Sequence, residues 1–112
     1  MAYNEELVIR IRPLLSGQKK VVEKKMFSGI AFMVNGKMCL TVGRDRIMCR
    51  IDPERQEEVV EKDGCRAMKM RGKDLRGWVT VQEDVLLTKR ELEFWVNLAL
   101  DFNKKAKPSR KK

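Results

Sequence analysis

Cys39, Cys49 and Cys65 are the residues of this chain best equipped for chemistry, and no histidine accompanies them. Thiols could supply a nucleophile or a metal site. Zinc sites use Cys or His pairs a few residues apart, and no two of these cysteines lie within four residues of each other. Without histidine the chain lacks the commonest general base and the usual partner of a Ser or Cys nucleophile. An odd cysteine count in an intracellular chain points to reduced, structural thiols. Gly72-Lys73-Asp74-Leu75-Arg76-Gly77 fits neither the Walker pattern nor the dinucleotide fingerprint. Carboxylates are plentiful, but none is paired inside an apolar segment as acid–base work requires. The expectation is a protein with no catalytic residues, no cofactor and no metal, hence not an enzyme.

The remaining chemistry is cationic. Lys19, Lys20, Lys24 and Lys25 flank and enter a strand around Val21-Val22. Lys104, Lys105, Lys107, Arg110, Lys111 and Lys112 supply six positive charges to the last nine residues, leaving +3 of the net +9 on residues 1–103. Lysines on an edge strand guard against aggregation, and a charged terminus is a solvated end. Both groups are also candidate nucleic-acid contacts. Such surfaces interleave aromatics with cations, and this tail has none.

The elements that must position these residues form one domain, 1–103, followed by a disordered basic tail, 104–112. With 112 residues, the chain can hide roughly two-thirds of its unfolded surface without disulfide or metal support. No apolar run approaches the ~18 residues of a membrane span. The start, MAYNEELVIR, lacks the basic-then-apolar order of a signal peptide, so a cytoplasmic location is expected.

Asn4-Glu5-Glu6 opens a helix over about 4–15, bent or re-started near Pro13. Asn35-Gly36 predicts a two-residue hairpin turn pairing Val34 with Lys37, Met33 with Met38 and Ala31 with Leu40. Arg44-Asp45 predicts a second, pairing Val42 with Ile47 and Leu40 with Cys49. On this register Ala31, Met33, Met38, Leu40, Val42, Ile47, Cys49 and Ile51 share a core face. Cys39 falls on the opposite face from Cys49, which argues against a disulfide or metal between them. That outer face carries Ile30, Phe32, Val34, Cys39 and Met48. Either a terminal helix covers it or it is a partner or homodimer surface.

Asp52-Pro53-Glu54 caps a middle helix that Asp63-Gly64 stops. Residues 66–70 read as a strand, 72–77 as a loop and 78–81 as a strand. Thr88-Lys89-Arg90-Glu91 is a capping box opening the last helix, with Leu92, Trp95, Val96 and Ala99 as its apolar stripe. The order α-β-β-β-(β)-α-β-β-α, with short loops, makes an α+β fold around an antiparallel meander.

The sequence resembles the N-terminal domain of the TfoX/Sxy family, bacterial regulators associated with natural competence. The resemblance rests on residues 1–7 (MAYNEEL), residues 23–36 (EKKMFSGIAFMVNG), Met38-Cys39, Met48, Arg50, Pro53-Glu54, Gly72-Lys73 and Gly77-Trp78-Val79. Ser28 stands where the family pattern has a second glycine, Asp74 where it has a proline, and Pro13 is unusual in the first helix. The resemblance implies a single-domain member with a fold like that of secretion chaperones. It also implies a cytoplasmic bacterial setting, and transcriptional regulation through protein contacts, with a transcription regulator or itself as partner. Full-length competence regulators of the family carry a second domain and act with a cyclic-AMP receptor protein. The resemblance brings no catalytic residues.

Overall fold

Asn4 starts the first helix, α1 (Glu5–Ile11): its side-chain oxygen accepts the Leu7 amide at 3.1 Å, and Glu5 and Glu6 sit in the first turn, where the helix dipole favours acids. At Pro13 the chain tightens into a 3₁₀ turn, Arg12–Leu15, which is the bend that proline imposes. The computed structural model describes residues 3–18, 20–26 and 29–106. After α1 come strands β1 (Val21–Met26), β2 (Gly29–Val34), β3 (Lys37–Val42) and β4 (Arg46–Arg50), then helix α2 (Gln56–Val59), strands β5 (Cys65–Met70) and β6 (Lys73–Gln82), and helix α3 (Lys89–Asn103). The described strands form one antiparallel sheet in the order β1-β2-β3-β4-β6-β5. This is the α+β meander expected from the pattern.

Two hairpin turns fall where their residues demand. Asn35 (φ 55°) and Gly36 (φ 76°) both take the left-handed conformation of a type I′ turn, and Val42 pairs with Ile47 across the second turn. The stretch 72–77 is not the loop that its glycines suggested. Arg71 (φ 56°) and Gly72 (φ 81°) form a third tight turn joining Met70 to Lys73, and β6 begins at once. Gly77 (φ 86°) is a strand residue at an irregular stretch of the ladder. Its N–H donates to the buried Gln56 Oε1 at 2.6 Å, and its carbonyl accepts from the Ile51 amide at 2.8 Å. A Cβ there would stand 3.2 Å from the Ile51 carbonyl oxygen.

The first hairpin corrects the expected core face. Val34 pairs with Lys37 and Met33 with Met38 as the turn requires, but the register then shifts and Phe32, not Ala31, faces Leu40. Cys39 is the extra residue of a β-bulge. One inserted residue reverses which side chains of β2 share a face with those of β3. Ile30, Phe32 and Val34 therefore join Leu40, Val42, Ile47, Cys49 and Ile51 in one buried cluster, with Cys39 among them. Ala31 and Met33 are buried as expected, but outside that cluster, and Met38 is only half-buried. The gain is hydrophobic: burying a phenylalanine at this position instead of an alanine is worth about 2 kcal/mol.

The helices complete the same cluster. Leu7, Val8 and Ile11 of α1, Val59 of α2, and Leu92, Trp95, Val96 and Ala99 of α3 all belong to it. All three described helices thus cover one face of the sheet. Thr88 caps α3 by accepting the Glu91 amide at 3.2 Å. Among the described residues the buried Trp95 indole N–H has no acceptor, a cost outweighed by burying the whole ring. At its C-terminal end α3 is tied to the first hairpin: Asn103 Nδ2 donates to the Val34 carbonyl at 3.3 Å, and Lys37 Nζ donates to the Asn103 carbonyl at 2.6 Å.

Candidate functional site

With the helices on one side, the opposite face of the sheet stays open over β3, β4, β6 and β5, whereas Ala31 and Met33 of β2 are buried. Strand pairing sets Thr41 beside Met48, Met48 beside Thr80 and Thr80 beside Arg66, one row across four strands. Arg50 and Trp78 pair in the adjacent row. Met38 and Met68 extend the apolar surface, and Arg46 and Lys69 stand at its margin. The result is a concave trough of about 1250 Å³ whose lining is mostly apolar. Among the described residues, four basic side chains and no carboxylate line it.

The Arg50 guanidinium lies 5.8 Å from the Trp78 ring centre and 5.6 Å from that of Phe102, within cation–π range of both. Arg46 is held by Asp45 at 2.9 Å. Trp78 itself is partly exposed, presenting a large flat contact surface that does not need reorganising.

Of the surface expected from sequence, only Met48 is in this trough. Ile30, Phe32, Val34 and Cys39 are 6%, 0%, 0% and 1% exposed, and within this chain they are core. The bulge at Cys39 moved them there. Trp78, Thr80 and Arg66 lie on the strands expected from sequence, but that reading does not assign them to the surface because it does not place β6 beside β4. The alternation of Trp78 and Thr80 with Val79 and Val81 was the available signal.

The thiols are placed differently from expectation as well. Cys39 and Cys49 are not on opposite faces; with Cys65 they occupy the same buried cluster, and all three are free. Burial pushes the Cys39 thiol up to about 12 and the Cys65 thiol up to about 11. Cys49 is raised by burial first and by its neighbours Cys39 and Cys65 next. Raised, buried thiols are protonated and poor nucleophiles at neutral pH. Among the described residues no group of His, Cys, Asp and Glu could hold a metal ion.

The basic residues divide. Lys24 and Lys25 are adjacent on the edge strand β1 and point to opposite faces, so they do not form one patch. Lys20 precedes β1, and its carbonyl accepts from the Asn35 amide. Because Asn103 also bonds to this hairpin, Lys104 emerges near Lys20 and Lys37. Lys105 is paired with Asp52 at 2.9 Å, which holds the Asp52 carboxyl below its ordinary range, and Ala106 is buried. The fold therefore continues to residue 106. Lys19, Lys107, Arg110, Lys111 and Lys112 lie outside the described residues.

An antiparallel sheet with helices on one side and an apolar, basic trough on the other defines a class of protein built around a surface. Residues 13–103 match the TfoX N-terminal domain, and the chain belongs to that family. Membership suggests a regulatory or competence-associated role. Neither curated proteins nor solved structures give a match. No described helix is long and apolar enough to cross a membrane.

Proposed function

We infer that this chain is a non-enzymatic interaction module of the TfoX N-terminal type, serving transcriptional regulation through protein–protein contacts in the cytoplasm. One observation carries the reading. The sheet face formed by β3, β4, β6 and β5, floored by Met38, Met48, Met68 and Trp78, is left open, and contiguous exposed apolar area marks interaction surfaces. Family membership supports the regulatory setting. The test is transcription in the source bacterium. Cells lacking the chain should regain normal transcript levels with the native protein. They should not regain them with a Met48→Glu, Thr80→Glu protein, whose fold is checked by circular dichroism. Full recovery with that variant overturns the reading.

A second reading is direct, weakly specific nucleic-acid binding. It is favoured by the junction at Asn103, which brings the start of the C-terminal basic run to the end of the sheet that carries Lys20 and Lys37. Six phosphate contacts from the tail would give a log–log salt slope of about −5. Binding to duplex DNA that is unchanged by deleting residues 104–112, and insensitive to salt, rules this reading out.

A further inference from the structure

We propose that the open trough is a docking site for an acidic amphipathic helix of a partner protein; this rests on the interaction-module reading and names the partner's chemistry. Three observations lead there. The first is charge. Arg50, Arg66 and Lys69 line the trough, with Arg66 exposed and Arg46 ion-paired to Asp45 beside it, and among the described residues no Asp or Glu lines it. A complementary partner carries carboxylates beside its apolar contact stripe. A second copy docking by the same face would set these cations against their own counterparts, because a two-fold interface brings like patches together.

The second observation concerns the backbone. In the middle of a sheet face the peptide groups bond sideways to neighbouring strands, leaving only side chains to meet a ligand. An extended segment laid there would bury N–H and C=O groups without partners. A helix satisfies its own backbone and presents only side chains. A cylinder ~10 Å across that filled the trough volume would be ~16 Å long, or about three helical turns. This is the scale of helix-in-groove recognition.

The third observation is the floor. Met38, Met48 and Met68 are unbranched and polarisable, so they adjust to apolar side chains of varied shape. Single-stranded nucleic acid asks for more: sheet surfaces that read it stack two or three bases on aromatics. Trp78 is the one aromatic lining the trough among the described residues, and Arg50 already lies over it.

The experiment titrates the full chain with two synthetic helical peptides of identical Leu/Phe stripe, one carrying glutamate on the flanking positions and the other lysine. Backbone and indole NMR shifts report the site, with Trp78 as the responsive indole and the buried Trp95 as the internal reference. The glutamate peptide should shift Trp78, Met48 and Thr80 saturably. It should bind roughly tenfold more tightly than the lysine peptide, and Arg66→Glu should remove most of that preference. Four results overturn the proposal: equal binding of the two peptides, no shift with the glutamate peptide, a thymidine oligonucleotide that shifts these residues when the glutamate peptide does not, or the same shifts appearing with protein concentration alone. If the peptide result fails while the Met48→Glu, Thr80→Glu protein still loses transcriptional function, the acidic-helix proposal falls and the interaction reading stands. If that variant restores transcription, both fall.

Discussion

Toward the helices the sheet presents Phe32, Leu40, Ile47, Cys49 and Val79, all fully buried; away from them it presents Met38, Thr41, Met48, Trp78 and Thr80, all partly exposed. The first set is rich in branched and aromatic side chains, which interlock at high density and fix one arrangement. The second is dominated by methionine and threonine around a single tryptophan, which leave a surface apolar without committing its shape. The two faces belong to the same strands, so their composition and not their backbone separates structure from function.

The largest test of that division is Phe32→Ala, which should cost about 3–5 kcal/mol in urea unfolding because it opens a cavity in the buried cluster. A loss below ~1 kcal/mol would mean that the bulge does not hold Phe32 in the core.

Alkaline unfolding comes next. The thiols of Cys39 and Cys65 stand at about 12 and about 11 in the folded chain, against an ordinary 9.0. Below pH ~9 folded and unfolded chains both keep these protons, and stability does not change on their account. Above it the unfolded chain releases protons that the folded chain retains. Stability therefore falls as pH climbs from about 9 toward 11, by about 1.4 kcal/mol per pH unit for one thiol. Thermal unfolding at pH 8.5 and 10.5 checks the sign, and Cys39→Ala should flatten the slope.

Gln56→Leu should cost roughly 1–3 kcal/mol, since it strips the buried Gly77 N–H of its acceptor while keeping the side-chain bulk. A neutral result would show that water reaches that amide.

The smallest effect is expected on the open face. Met48→Ala should stay within about 1 kcal/mol of the native protein. Met48→Cys should react readily with a thiol reagent at pH 8, while the three native cysteines react only after unfolding. If Cys39 labels as fast as the introduced thiol, the closed face is not closed.

Much of the architecture was readable from residue chemistry. Asn4, Pro13, Asn35-Gly36, Asp52-Pro53 and Thr88 act through their own φ preference or side-chain oxygen, so the elements that they start, bend or turn were legible without knowing their neighbours. The candidate site was far less so. A hairpin turn fixes only the pairs next to it: the second turn's pairs, Val42 with Ile47 and Leu40 with Cys49, form as read, while one extra residue at Cys39 exchanges the β2 side chains that face the core. Gly72 and Gly77 carried a loop signature, yet one sits in a tight turn and the other within a strand beside Ile51 and Pro53.

By itself, then, the sequence determined the α+β class, the hairpins, the apolar stripe of the last helix, the absence of histidine and the family pattern. Each is a local property, set by a few neighbouring residues or by composition. The tertiary structure alone decided which face the helices cover, that three cysteines share one core, and that Met48, Thr80, Arg66 and Trp78 from three strands meet in one trough. Those outcomes depend on strand order and on a single bulge, because register and pairing are chosen by the total apolar surface that the fold can bury rather than by any one segment.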